Sequence, residues 1–211
     1  SDELSWTDTL QISGRVDAAN ADFELDMAPL TWSYKEYVFD SNRIEVKPSK
    51  DSLMISFNAR KCATNQAIFL ENFNVESILT NDSLNAQVSW FNETNQADSG
   101  FIDIWLYRSD KYLLNAYLNK LDVRVAGVQW RSKQKAQLHA DTNYVEVEHL
   151  NLRSNSGYVT CNGSWSGLTN EHLVFDVSNF DLGYISNFGI SKNQFEGMFN
   201  GQIDMYQRQT S

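Results

Sequence analysis

A chain of 211 residues, 42% of them hydrophobic and 13% aromatic, can bury a sizeable core and is not intrinsically disordered. Its length allows one large or two small domains, and its two prolines and ten glycines exclude collagen-like or Pro-rich character. The net charge of −10 argues against a nucleic-acid partner and against electrostatic attachment to anionic lipid, since both need clustered Lys and Arg.

In chain order, short alternating runs predict strands. Leu10 to Val16 puts Leu10, Ile12 and Val16 on one side, with Gly14 marking a bulge or a close contact. Asp22 to Met27 alternates acid and apolar residues, so its three carboxylates read as the wet face of one strand rather than as a calcium or catalytic site. Pro29 is expected to end that strand, because proline cannot donate to a central ladder. Further strands are predicted at Trp32–Phe39, Asn42–Val46 (stopped by Pro48), Leu53–Ala59, Ala67–Phe73, Leu84–Phe91 and Phe101–Tyr107, with 92–100 a polar loop. Strands about ten residues apart with turn chemistry between them mark an all-β protein.

One stretch departs from period two. Leu114, Tyr117, Leu118 and Leu121 fall at i, i+3, i+4 and i+7, which predicts a short helix. Residues 111–122 are therefore expected to form a helical junction between a first β unit, 1–110, and a second, 123–211. The second unit opens with a strand at Val123–Trp130. In it Val145 and Val147 point one way and Glu146 and Glu148 the other, while Leu173, Phe175 and Val177 alternate with His172, Val174 and Asp176.

The two units echo each other. Trp32 matches Trp130 at an offset of 98, and Ser41 to Val46 matches Thr142 to Val147 at 101. Ile55 to Ala59 matches Val159 to Gly163 at 104, and Asn72 to Val75 matches Asn179 to Leu182 at 107, with Ile78 on Ile185. The steady growth in offset is what loop insertions between fixed strands produce. A unit that wets one sheet face and repeats lengthwise predicts an elongated, curved antiparallel sheet. Its apolar face forms a trough, with Ile55, Phe57, Val145, Val147, Leu173, Phe175 and Val177 as the candidate lining. Cys62 and Cys161 sit at non-equivalent points of the copies and are too few for a disulfide scaffold, so their redox state stays open.

The residue order carries a family resemblance. A Trp is followed by a polar strand, an Ile-Glu-Val-like strand, a Gly-containing strand, an Asn-Phe-Asp-Leu corner and a closing Phe195–Phe199 strand. This resembles the C-terminal repeats of AsmA/TamB-type proteins, the translocation and assembly module family, in their Bacteroidetes form. Asn143 to Gly201 carries most of the resemblance and Trp32 to Val88 a weaker echo. The resemblance implies a large protein of the Gram-negative cell envelope, anchored in the inner membrane by a helix outside this chain. Its β-rich body would cross the periplasm as a U-shaped sheet, a "β-taco" with a hydrophobic groove. It also implies a role in outer-membrane protein assembly or in phospholipid movement between membranes. The partners would then be acyl chains or the assembly machinery, with membrane contact only through parts outside this chain. The opening Ser1-Asp2-Glu3, without Met, fits a piece of a longer protein.

Site chemistry is sparse. His139, His149 and His172 lack the HExxH or paired spacing of a metal site. Gly163-Ser164-Trp165-Ser166-Gly167 places Trp165 where a nucleophile elbow needs Ser, and no GxGxxG or P-loop occurs. The three sequons, at Asn81, Asn92 and Asn162, would carry no weight in a bacterial protein, and in an Asn-rich chain they arise by chance. No catalytic residue, metal ligand or cofactor is expected, and a β-sandwich glycosidase is disfavoured because no acid pair stands out. The alternative is a carbohydrate-binding β-sandwich, which would require Trp6, Trp32, Trp90, Trp105, Trp130 and Trp165 to form a coplanar exposed set.

Overall fold

The computed structural model describes residues 4–6, 11–17, 22–34, 37–64, 69–93, 98–109, 113–125, 127–166, 171–183 and 196–206. Its elements are strands β1 (Leu4–Trp6), β2 (Ile12–Asp17), β3 (Asp22–Tyr34), β4 (Tyr37–Ser49), β5 (Ser52–Thr64), β6 (Phe69–Leu79), β7 (Ser83–Phe91) and β8 (Ser99–Tyr107). They continue with β9 (Leu114–Val125), β10 (Val128–Ser132), β11 (Ala136–Asp141), β12 (Tyr144–Arg153), β13 (Tyr158–Trp165), β14 (His172–Asp181) and β15 (Met198–Tyr206). All belong to one 15-stranded sheet that follows chain order almost without exception. β1 and β2 lie end to end along β3, and β10 and β11 share one position between β9 and β12. Every pairing is antiparallel, and the path ends at β15 without returning to its start.

Alternation sorts the side chains into two faces. Ile12, Met27, Ile44, Phe57, Val75, Val88, Ile102 and Leu121 form one continuous cross-strand row from β2 to β9. The row one residue along belongs to the other face and reads Ser13, Asp26, Glu45, Ser56, Glu76, Gln87, Asp103 and Lys120. Arg43 and Lys47 pair with Asp26, Glu24 and Glu45 on that polar side.

The sheet curls toward its apolar face. Phe39 lies opposite Cys62, five residues along β5 from Phe57. On a straight strand those positions would be about 16 Å apart, yet the Phe39 and Phe57 rings meet edge to face at 6.2 Å. Residues in the left-handed region, Ser41, Asn72, His149 and Asn179, lie inside β4, β6, β12 and β14. At three of these points an asparagine in the neighbouring strand, or for Asn92 just past its end, supplies the carbonyl that the ladder lacks. The Glu71 N–H donates to Asn92 Oδ1 at 2.8 Å, His149 N–H to Asn162 Oδ1 at 2.7 Å, and Asn179 N–H to Asn200 Oδ1 at 2.8 Å. The Asn179 corner closes over Gly157, where a Cβ would sit 2.3 Å from the Ser178 carbonyl oxygen, so only glycine fits.

Several sequence expectations are corrected. Residues 114–121 are strand β9, not helix. Asn119 is an extra residue between the pairs Asp103–Lys120 and Ile104–Leu118, so Leu118 and Leu121 share a face across a bulge and imitate helical spacing. Pro29 does not end its strand: β3 continues to Tyr34, and Pro29 falls where the β3–β4 register shifts and no ladder donor is needed. Trp32–Phe39 and Val123–Trp130 each belong to two strands, with Tyr34 paired to Tyr37 in the first and Val125 to Val128 in the second, where Gly127 has φ 79°. The matched blocks fall on β4, β5, β6 and on β12, β13, β14, but in different registers: Val46 opposes Ile55, whereas Val147 opposes Gly163. Leu10, Ala67, Ile185 and Phe195, and the side chain of Trp6, lie outside the described residues.

Candidate functional site

The concave apolar face is the candidate site. One row on it crosses the sheet from β4 to β15 with no polar member: Pro48, Leu53, Leu79, Leu84, Leu106, Ala116, Leu138, Val147, Gly163, Leu173 and Met205. All seven candidate lining residues are on this face. Val147 and Leu173 are in that row, and Val145 sits one step along β12, opposite Ala140 and Trp165. Phe175 lies between Cys161 and Ile203, Val177 between Val159 and Gly201, Ile55 between Val46 and Ser77, and Phe57 between Ile44 and Val75. Leu173 is 5% exposed, whereas the other six are half-buried, so the face is shielded by curvature rather than by a second layer.

Aromatic rings meet on this face at two places. Trp32 stacks on Phe39 at 4.1 Å, Phe39 meets Phe57, and Phe57 meets Phe73 at 6.1 Å. In the second half, Trp130 on β10 and Phe180 on β14 have ring centroids 5.8 Å apart. The two intervening strands would separate them by about 14 Å on a flat sheet. Beneath this pair is a wholly apolar hollow of about 170 Å³ lined by Leu121, Val123, Val125, Leu152 and Val159. Sequence reasoning missed this crossing, although the Trp and Phe that form it are the residues matched to Trp32 and Phe73.

Among the described residues the histidines, the cysteines and Asp40 sit in local contacts. His139 Nδ1 is 2.7 Å from Oδ1 of Asn115, a buried residue that also donates to the Tyr107 carbonyl and to Ser109. His149 occupies a bulge, and His172 bridges to Asp204 on β15 at 3.1 Å. Cys62 and Cys161 are free thiols on β5 and β13. Burial pushes Cys62 up to about 11 and raises Cys161, which suppresses the thiolate on which cysteine reactivity depends. Hydrogen bonds from Arg60, then Thr31 and Ser41, hold the Asp40 carboxyl below its ordinary value against the opposing effect of burial.

Among the described residues the tryptophans do not form one coplanar exposed set. Trp32, Trp130 and Trp165 lie on the concave face, as does Trp90, whose ring covers Gly100. Trp105 stands on the convex face, stacked with Tyr107 at 4.8 Å and Tyr117 at 5.4 Å, and Tyr107 is raised chiefly by its hydrogen bond with Tyr117. Stacked rings cover one another's faces, which a sugar ring would need open. On the same convex side a hollow of about 460 Å³ lies over Met54 and Ile78, between Lys47 and Glu76. No protein-family model matches the chain, and comparisons with curated proteins and with solved structures find no match either.

Proposed function

We propose that this chain is a non-enzymatic cell-envelope module whose concave face shelters phospholipid acyl chains. In this reading it forms part of a longer periplasm-spanning protein that serves lipid movement between membranes or outer-membrane assembly. The observation that supports it is the unbroken apolar row from Pro48 to Met205 on the inside of a curved, single-layer sheet. Such a face offers hydrocarbon about 0.8 kcal/mol per buried methylene along its whole length, and nothing along that row competes by hydrogen bonding. Among the described residues no helix is long and apolar enough to cross a membrane. Membrane contact is assigned to other parts of the longer protein.

The test is equilibrium binding of a fluorescent phospholipid. Phe175→Ser with Val177→Asp places polar groups on the trough floor and should abolish binding while far-ultraviolet circular dichroism keeps its β signature. Val174→Asp on the convex face should leave binding intact. Lipid binding that survives the paired floor substitution sinks the proposal.

A further inference from the structure

We propose that the hollow beneath Trp130 and Phe180 is a hydrocarbon pocket that holds the methyl end of one acyl chain. This rests on the reading of the concave face as a phospholipid trough and adds a fixed point within it. The hollow measures about 170 Å³ and is lined, among the described residues, by aliphatic and aromatic side chains alone. A buried water needs about two to four polar partners, and this lining offers no polar side chain. Apolar cavities of about 150 Å³ stay dry and take up benzene or xenon, so the occupant that fits is a stretch of roughly six hydrocarbon carbons.

The first half of the sheet shows that this space need not be open. There Trp32 and Phe73, the residues matched to Trp130 and Phe180, are linked through the rings of Phe39 and Phe57, with centroid steps of 4.1, 6.2 and 6.1 Å. In the second half the residue matched to Phe57 is Cys161, which has no ring. Trp130 and Phe180 meet directly, and the hollow lies beneath them. Val123, Val125 and Val159 line it, where longer side chains would fill it. An empty hollow deprives its lining of contacts on one side, so packing alone favours closing it. Trp130 is 6% exposed on a face that is otherwise mostly half-buried, which makes the ring pair a roof. A space of this size between roof and floor suits a chain that stops there. From Val159 the concave face runs past Val177 and Phe175 to Leu173 on the apolar row, and that gives the rest of the chain its course.

Methyl-resolved NMR of the 211-residue chain tests this with two probes. Benzene should shift the methyls of Leu152 and Val159 saturably, while those of Leu53 and Leu84, on the open row, drift without saturating. Val159→Phe puts a ring into the hollow and should abolish the saturable shift. Phosphatidylcholine with a nitroxide near the methyl end of one chain should broaden the Leu152 and Val159 methyls more than the same lipid labelled near the ester. That comparison needs no substitution, so it holds even if Val159→Phe fails to fold. The proposal is overturned by benzene shifts that never saturate or that are equal on Leu53 and Leu84. It is overturned too by saturable binding that survives in a folded Val159→Phe chain, or by broadening from the ester-end label that equals or exceeds the other. Lipid that broadens no concave methyl, beside benzene that saturates the hollow, overturns the phospholipid reading and the acyl-chain assignment with it, and leaves a pocket for a small apolar molecule.

Discussion

Asn200 fixes the corner of β14 with a single oxygen. The Asn179 N–H points at it, and Asn179 in turn donates its Nδ2 to the Ser156 carbonyl at 2.9 Å, so the turn before β13 is tied to β14 and β15 at one point. Asn200→Ala removes the acceptor and leaves the exposed Asn179 donor to water, at a cost of about 0.5–1.5 kcal/mol. Asn200→Asp keeps an acceptor there and should retain most of the stability. Urea unfolding of the two variants beside the parent chain checks the difference. A loss as large for Asp as for Ala would show that the side-chain oxygen is not what holds the corner. None of this was legible beforehand. The Asn-Phe pairs at 72–73 and 179–180 stood out as matched residues, but their use as left-handed bends depends on an acceptor about 20 residues away, on the following strand.

At the scale of elements, strand type and alternation were readable because period two survives wherever one face is wet. The seven lining residues chosen on alternation alone share the concave face. Bulges were not readable, and they account for the misplaced helix. Leu114, Tyr117, Leu118 and Leu121 satisfy helical spacing only because Asn119 adds one residue to β9; Tyr117 in fact faces the convex side, beside Trp105. Deleting Asn119 should therefore be far more damaging than replacing it. The deletion forces residues 114–118 to the opposite face or breaks pairing with both β8 and β11, at about 1.5–3 kcal/mol for each apolar side chain displaced into water. Asn119→Ala loses only the hydrogen bond to Asp103 at 3.2 Å and should melt close to the parent chain. Thermal unfolding followed by circular dichroism distinguishes the two. A deletion variant as stable as the alanine variant would mean that the face assignment along β9 is mistaken.

The whole molecule exposes more surface than its mass requires. A compact monomer of 24.2 kDa would expose about 10,000 Å², while this chain exposes 13786 Å². Among the described residues every strand belongs to one sheet, with no second layer of strands packed on it, an arrangement that leaves much surface open. The register explains why the match between the two halves did not carry through residue by residue. Short sequence blocks report which residues suit a bend or a half-buried strand, whereas register is set by turns and bulges elsewhere on the partner strands.

The neighbour-only arrangement of the strands, in which substantial contacts join only strands adjacent in the sheet, also governs how the chain comes apart. With few distant contacts among the described residues beyond the Trp130–Phe180 crossing, its stability is close to a sum of interface terms along a line, as in solenoids. Opening therefore spreads inward from the ends. Amide exchange should be slowest in β4 to β9 and quicken toward β2 and β15, and the calorimetric enthalpy of melting should exceed the van't Hoff value. Uniform protection and equal enthalpies would instead describe a single cooperative block. Because nearly every partner is also next in sequence, each hairpin closes a short loop, and the sheet can assemble strand by strand as it emerges from synthesis.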